Sequence, residues 1–205
     1  MVRLGRILRS FSCKVSTFQP FSCDLSTLGF NVFQRHYHRA NAASISQLPP
    51  LAKRWLLDAG SLTQRLIQAS KTSFEVKVVF QGVAKPQLNE SRALGIKPSA
   101  HCLIREVKLC VDGSEWVYAR SVIPLGSLAG ELGFLKKHQN SALGALLFKD
   151  PSLKRSHFEI FAGHLNSIST NNAIALGNVY SRRSIFLLKG QPLLVAETFL
   201  PDCQL

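Results

Sequence analysis

The sequence lacks the motifs on which metal, redox and nucleotide-dependent enzymes usually rely. Its 205 residues contain five cysteines, at positions 13, 23, 102, 110 and 203, and none of them has the C-x-x-C spacing of zinc and redox sites. A reduced compartment is therefore the simplest prediction. A glycine-rich phosphate loop, a nucleophile elbow and a metal-ligand cluster are also missing. These absences favour a small-molecule site or a reaction that needs no cofactor.

Long apolar runs are absent as well. Apolar residues make up 46% of the chain and charged residues 18%, which is typical of a folded domain rather than a disordered chain. No apolar run approaches the ~20 residues that a helix needs to span a bilayer, so we predict no membrane span. The length fits one well-packed domain better than two.

Acidic residues are scarce, with 12 Asp and Glu against 25 Lys and Arg and a net charge of +13. Residues 1–50 carry six of the basic residues against Asp24 alone. In the rest of the chain the basic residues are scattered in short pairs such as Lys154-Arg155. Because the sequence has no nucleic-acid-binding motif and no basic helical stripe, we predict no nucleic-acid partner. A basic surface that attracts a small multivalent anion explains the charge equally well.

Residues 1–44 differ from the rest of the sequence. They are rich in Arg and Ser and nearly free of acid, and a helical wheel separates Arg3, Arg6 and Arg9 from an apolar side. This pattern is typical of a mitochondrial transit peptide, and the alternative is an over-extended start. In either case we expect residues 1–44 to be an N-terminal extension outside the fold and residues 45–205 to form the domain.

Hydrophobic periodicity predicts helices at the start of the domain and strands thereafter. Ser61 is a candidate N-cap for a helix over 62–69, with Leu62, Leu66 and Ile67 on its inner face. Helix 51–57 precedes it, and a polar connection is expected from 81 to about 100. The predicted strands cover 74–80, 102–111, 115–123 and 157–161, and after a connection at 162–178 a terminal hairpin turns near Lys189-Gly190. The class is α+β, with an antiparallel sheet of about six strands and helices packed at one face or end.

Arg105 is the first candidate functional residue. Strict strand alternation places it in one row with Leu103, Val107 and Leu109. A structural salt bridge, with Glu197 as a candidate partner, would explain an Arg in an apolar row. The alternative is a bidentate clamp for a ligand carboxylate, which a planar guanidinium suits well.

Glu197 is the second candidate. It lies between Val195-Ala196 and Phe199-Leu200, and burying its carboxylate ionised and unpaired would cost several kcal/mol or more. Either a cation of the protein or a polar ligand must therefore satisfy it, unless it is an outward-facing charge on an edge strand. The six His have no partner at metal-ligand spacing, so we interpret them as ordinary surface or core residues.

Five segments resemble the chorismate pyruvate-lyase (chorismate lyase) family, in the family's order. They are WLLDAGSLTQRL at 55–66, REV at 105–107 with WVYARSVIP at 116–124, LGALLF at 143–148, the segment 155–160, and RRS at 182–184 through LP at 200–201. Any one of them would be weak evidence alone. Together they cover residues from about 50 to 202.

The resemblance implies an enzyme that converts chorismate to 4-hydroxybenzoate and pyruvate for ubiquinone biosynthesis, with no cofactor and no metal. It also implies a sheet and helices that enclose a buried ligand pocket. In this family a strand Arg holds a ligand carboxylate, a Leu before Gly lines the pocket, and a Glu of the last strand meets the ring hydroxyl. These roles fall on Arg105, Leu143 and Glu197, so all three are predicted substrate-binding residues and Glu197 is also the candidate catalytic residue. A pocket residue that is often Met in the family falls on Leu62.

The partner expected from the resemblance is chorismate, and the protein is expected to be a monomer. The family is mainly bacterial, which predicts a cytoplasmic enzyme, with the mitochondrial matrix as the alternative if residues 1–44 are a cleaved presequence. The alternative function is a non-catalytic effector domain of the same fold that binds a small acid. The 162–178 connection is longer than is usual in the family.

Overall fold

The computed structural model describes residues 37–129, 131–136, 143–165, 169–170, 173–174 and 177–203. Its helices are α1 (Ala42–Ser46), α2 (Pro50–Leu56), α3 (Leu62–Ala69), α4 (Leu88–Leu94) and α5 (Leu143–Leu147). Its strands are β1 (His38–Arg39), β2 (Phe74–Ala84), β3 (Cys102–Val111), β4 (Ser114–Pro124), β5 (Lys154–Arg155), β6 (Glu159–Leu165), β7 (Ser169–Thr170), β8 (Ala173–Ile174), β9 (Gly177–Leu188) and β10 (Gln191–Phe199). Short 3₁₀ helices lie at Leu125–Leu128, Glu131–Lys136 and Pro201–Cys203.

The main sheet is antiparallel and has the strand order β1-β6-β9-β10-β4-β3-β2, with β5 pairing beside β6 on the same edge of β9. Strands β7 and β8 form a separate pair inside the predicted 162–178 connection, much of which lies outside the described residues. The long strands of the main sheet are β2, β3, β4, β6, β9 and β10. This architecture confirms the α+β class and the expected count of about six strands.

Two tight hairpins fix the register of the central strands. The turn between β3 and β4 has positive φ at Asp112 (50°) and Gly113 (85°), and the turn between β9 and β10 has positive φ at Lys189 (51°) and Gly190 (77°). Two-residue turns of this kind match the right-handed twist of the strands that they join. As a result, Arg105 pairs with Ser121 of β4, and Glu197 of β10 pairs with Arg182 of β9.

The two faces of the sheet are covered by different helices. Helices α2 and α3 pack through Leu56 and Leu66 against Val107 and Leu109 of β3. Helix α4 covers the opposite face, where Ala93 and Leu94 pack against a cluster that includes Ile104. Alternation along β3 and β10 therefore sends Arg105 and Glu197 toward the first of these faces.

The structure corrects three details of the expected secondary structure. The predicted 162–178 connection is shorter, because β6 continues to Leu165 and β9 begins at Gly177. The segment 81–100 was expected to be a polar connection, but it completes β2 and forms α4, whose start has a reciprocal capping pair between Gln87 and Glu90. Ile67 was expected on the inner face of α3, yet it is 49% exposed. The buried stripe of α3 consists of Leu62, Thr63 and Leu66. Each helical residue is rotated by about 100° from the one before it, so Ile67, which follows Leu66, points away from the sheet.

Residues 37–44, which the sequence analysis assigned to the extension, contact the domain. Strand β1 pairs with β6, and the Ala40 N–H donates to the Phe158 carbonyl at 3.0 Å. The Tyr37 ring lies 6.4 Å from the Phe161 ring. Residues 1–36 lie outside the described residues. In the part of the chain that is described, every helix is too short or too polar to cross a bilayer.

Candidate active site

A cavity lies between the first face of the sheet and helices α3 and α5. It encloses about 560 Å³ of empty space, counting the part of its mouth that is open to solvent. The cavity brings together Arg105, Leu143 and Glu197, the three predicted site residues, and Leu62 also lines it. These residues come from β3, α5, β10 and α3, which are far apart in the sequence.

Arg105 enters the cavity from β3, in a row with Val107 and Leu109. Only 5% of the residue is exposed. Its Nη1 donates to the side-chain oxygen of Gln81 on the neighbouring strand β2. Burial lowers the pKa of the Arg105 guanidinium from its usual value. The side chain is thus a desolvated cation, and hydrogen bonding to an anion would compensate part of the lost hydration.

Glu197 lies on β10, a central strand, so the edge-strand interpretation of this residue is wrong. Its Oε2 accepts a hydrogen bond from Nε of Arg182 at 2.5 Å, and the Arg182 side chain is 1% exposed. The sequence left open whether a cation of the protein or a ligand satisfies the Glu197 carboxylate, and the structure is compatible with both. Glu197 pairs with a cation of the protein, and it also lines the cavity.

Arg182 is held in place by main-chain carbonyls at the end of α2. Its Nη1 donates to the carbonyl oxygens of Trp55 at 2.9 Å, Leu56 at 3.3 Å and Asp58 at 2.7 Å. These carbonyls precede α3, so one side chain connects the α2–α3 segment to the sheet and orients Glu197. The sequence did not predict this role. Arg182 and Arg183 are neighbours of the same residue type, and only the register of β9 shows which of them lies on the same face of the sheet as Glu197.

Arg155, at the end of β5, is the second residue that the sequence analysis missed. It lines the cavity, and its Nη2 lies 4.0 Å from Oε2 of Glu197. Its Nε donates to Ser184 Oγ at 3.1 Å, and its guanidinium carbon lies 4.1 Å from the centre of the Phe158 ring. Strand β5 is two residues long, so alternation in the sequence gives no indication of the direction in which Arg155 points.

Burial, followed by the like charge of Arg182, lowers the pKa of Arg155 to about 10. Arg155 therefore stays cationic at neutral pH, although it is in an unfavourable setting for a cation.

Helices α3 and α5 form the wall opposite the sheet. Ser61 caps α3, as predicted, by accepting from the Gln64 N–H, and this places Leu62 at the cavity. Leu143 and Gly144 begin α5, and a Cβ added at Gly144 would lie 3.2 Å from Thr63 Oγ1. A side chain here would require Thr63 to shift by a few tenths of an ångström, so a glycine suits the close approach of the two helices. The result is an apolar wall that shields the charged groups of the sheet.

The described lining of the cavity combines apolar walls with two guanidinium groups and one carboxylate. The charge balance favours an anion, and Arg105 and Glu197 can bind opposite ends of a ligand that carries a carboxylate and a hydroxyl. Among the described residues, no three His, Cys, Asp or Glu side chains lie close enough together to hold a metal ion. The arrangement is suited to positioning and to electrostatic stabilisation of a small acid.

Comparison with known proteins agrees with this description. The family model described as chorismate lyase matches residues 35–205. A probable chorismate pyruvate-lyase of Thiobacillus denitrificans is 39% identical over 160 residues, which cover 76% of this chain and 85% of that protein. A protein of the same description from Methylococcus capsulatus is 37% identical over 150 residues, which cover 72% of this chain and 93% of that one.

Among solved structures, the effector domain of PhnF from Mycobacterium smegmatis superposes with a TM-score of 0.51 at 14% identity, covering 71% of this chain and 91% of that domain. This likeness extends to the fold alone. The family match spans most of the chain, and the chain therefore belongs to the chorismate lyase family.

Proposed function

We propose that this protein is a chorismate pyruvate-lyase, which removes the enolpyruvyl group of chorismate and releases 4-hydroxybenzoate and pyruvate. The observation that carries the proposal is the meeting of Arg105, Leu143 and Glu197 in one cavity, within a chain of the chorismate lyase family. The released 4-hydroxybenzoate would supply the head group of ubiquinone.

Each of the three residues has a role that fits its surroundings. Arg105 binds the ring carboxylate, because a buried guanidinium offers parallel N–H donors to a planar anion. Glu197 accepts a hydrogen bond from the hydroxyl on the opposite corner of the ring, where Arg182 fixes the direction of its carboxylate. Leu143 and Leu62 cover the ring and exclude water.

The reaction makes few chemical demands on the protein. Loss of the enolpyruvyl ether and of the ring C4 hydrogen makes the ring aromatic, so the step is strongly downhill. Holding the ether in a reactive conformer and matching the charge shift would supply much of the barrier reduction, which in enzymes is typically ~8–23 kcal/mol. Because one carboxylate faces the hydroxyl end of the site, Glu197 is the residue that we propose for proton transfer. No cofactor enters this scheme.

The direct test is to incubate the purified protein with chorismate and to quantify both products. Pyruvate is measured with lactate dehydrogenase and NADH, and 4-hydroxybenzoate by chromatography. Equal amounts of the two products, formed well above the rate without protein, are expected. A protein that binds 4-hydroxybenzoate but releases no pyruvate would contradict the lyase proposal and would favour the small-acid-binding effector domain.

We further propose that the enzyme acts in the cytoplasm as a monomer. The relatives compared above are bacterial, which favours the cytoplasm over the mitochondrial matrix. Light scattering on the purified protein measures the oligomeric state, and a dimer would contradict the monomer.

A further inference from the structure

Arg155 places a second, largely buried guanidinium in the cavity, and none of the roles above uses it. Its side chain is 14% exposed. Of its nitrogens, Nε donates to Ser184 Oγ at 3.1 Å, and Nη1 reaches the Ala59 carbonyl at a long 3.4 Å. Nη2 lies 4.0 Å from Glu197, beyond hydrogen-bond range. Glu197 already accepts a hydrogen bond from Arg182, so one carboxylate is shared between two cations.

Two aromatic rings hold Arg155 in this position. Its guanidinium carbon lies 4.1 Å from the centre of the Phe158 ring and 4.9 Å from that of the Phe186 ring. The rings contact the flat face of the guanidinium. Its N–H donors lie along the edge, and this edge can therefore hydrogen-bond to a ligand. A cation that is fixed and desolvated in this way is prepared for an anion.

The register of the sheet determines which end of the ligand Arg155 meets. Arg105, Ser121, Val195 and Ser184 form one row across β3, β4, β10 and β9. Three strand spacings of about 4.8 Å separate the first and last of these residues. Because Arg155 bonds to Ser184, it lies across the cavity from Arg105 and beside Glu197.

The structure of chorismate has the same order of groups. Its ring carboxylate and its hydroxyl lie on opposite corners of the ring, and the enolpyruvyl ether is on the carbon next to the hydroxyl. If Arg105 binds the ring carboxylate and Glu197 the hydroxyl, the ether and its second carboxylate must lie on the Glu197 side of the site. Arg155 is the lining cation described on that side.

We infer that Arg155 binds the carboxylate of the enolpyruvyl group and so selects the dianionic substrate over the monoanionic product. This inference rests on the proposed lyase function. In the reaction the C3–O bond breaks and its electron pair goes to the ether oxygen, while the C4 hydrogen leaves as a proton and the ring becomes aromatic. The enolpyruvate takes up one proton at its methylene carbon to give pyruvate, so atoms and charge balance without another reactant. Arg155 would stabilise the negative charge that develops on the departing group.

The test compares two ligands in the same set of variants. Arg155→Gln removes the charge and keeps a hydrogen-bonding side chain, whereas Arg155→Lys keeps the charge without the planar fork. Arg183→Gln is the matched control, because Arg183 is a buried strand arginine that pairs with Glu159 outside the cavity. Steady-state pyruvate release gives kcat/KM for chorismate, and calorimetry gives Kd for 4-hydroxybenzoate. Thermal melting confirms that each variant is folded.

We expect Arg155→Gln to lower kcat/KM for chorismate about 10- to 100-fold and to change Kd for 4-hydroxybenzoate less than about twofold. Arg155→Lys should recover part of the loss, and Arg183→Gln should change neither ligand's parameters.

If Arg155 only positions Glu197, affinity for 4-hydroxybenzoate will fall together with kcat/KM, since Glu197 meets the hydroxyl of both ligands. That parallel loss, or unchanged kinetics, overturns the inference and leaves the lyase function intact. A wild-type protein that releases no pyruvate overturns both. If Arg155→Gln does not fold, Arg155→Lys supplies the same test, with a smaller loss of kcat/KM that is again larger than the loss of affinity for 4-hydroxybenzoate.

Discussion

Two arginine–carboxylate clusters lie on opposite faces of the same sheet and have opposite compositions. In the cluster beneath α4, which we call the closed cluster, Arg120 bonds to Glu90 and Glu106. In the cavity cluster, Glu197 lies between Arg182 and Arg155. One cation serves two carboxylates in the first cluster, and one carboxylate serves two cations in the second.

The closed cluster satisfies its groups internally. Arg120 Nε donates to one oxygen of Glu90 at 2.7 Å and Nη2 to the other at 3.1 Å, while Nη1 donates to Glu106. Burial by itself would lower the pKa of Arg120, but the two carboxylates outweigh it and raise the pKa. Glu90 also accepts from the Gln87 N–H at 2.8 Å, so the cluster fastens the start of α4 to the sheet.

The cavity cluster leaves a surplus of positive charge beside an open volume. The pKa of Arg155 is lowered by burial and by Arg182, whereas that of Arg120 is raised. We therefore assign a stabilising role to the arginine of the cluster with excess carboxylates, and we propose ligand binding for the cluster with excess cations. Surplus charge next to a cavity is the feature that separates a binding site from a structural ion pair.

The largest expected effect tests the structural side of this comparison. Arg120→Met leaves two carboxylates buried without their cation, and breaking a buried pair in this way costs about 3–5 kcal/mol of unfolding free energy. Arg155→Gln strands no carboxylate, because Arg182 still pairs with Glu197, and should cost less than about 1 kcal/mol. Denaturant unfolding of both variants measures the difference. Equal destabilisation would mean that both clusters stabilise the fold to the same extent, which would contradict the comparison.

The next largest effect concerns turnover. Glu197→Gln preserves volume and hydrogen bonding but cannot carry charge or accept a proton. We expect kcat to fall about 100-fold, the usual scale for a positioned acid–base group, while the fold is kept. Glu159→Gln is the matched control, because Glu159 pairs with Arg183 on a neighbouring strand outside the cavity.

A smaller loss in Glu197→Gln would change the mechanism rather than the site. A fall nearer to 10-fold would limit Glu197 to orienting the hydroxyl, with the proton moving between parts of the substrate. Unchanged kcat together with unchanged affinity for 4-hydroxybenzoate would remove Glu197 from the site altogether.

A loss of similar or lesser size is expected at the other end of the cavity. Arg105→Gln removes a charge-assisted hydrogen bond that contributes ~1.5–3 kcal/mol, so kcat/KM should fall at least ~10-fold. Affinity for 4-hydroxybenzoate should fall in parallel, because substrate and product share the ring carboxylate, and this separates Arg105 from Arg155. Near-native kinetics would contradict the clamp, and loss of folding would favour a structural role beside Gln81.

Much of this arrangement follows from local sequence patterns. Alternation identified the strand face of Arg105, the Asp-Gly and Lys-Gly pairs located both central hairpins, and Ser61 marked the start of α3. These signals act over two to four residues, and so they can be read directly from the sequence. The meeting of Arg105, Leu143 and Glu197 was expected from the family resemblance rather than from local pattern.

The arginines around Glu197 were not predictable in the same way. Arg182 takes its place from the register between β9 and β10, and Arg155 from a two-residue strand and two aromatic rings. These are long-range contacts that no local period encodes. The helix α4 was missed for a related reason. Its segment LNESRAL is polar, and it is fixed by a bond between Glu90 and Arg120, 30 residues later in the chain.

The smallest expected effect is that of metal chelation, for which we expect no change in activity. EDTA should leave chorismate turnover unchanged, because the carboxylate that lines the described cavity is flanked by two guanidinium groups, which would repel a divalent cation. The comparison between the clusters sharpens this expectation, since the two-carboxylate group, Glu90 with Glu106, already binds Arg120 instead. Turnover is measured before and after chelation and again after Mg²⁺ or Zn²⁺ is added. Activity that falls on chelation and returns with the metal would overturn the cofactor-free scheme, since the two arginines would then have to move aside for a cation.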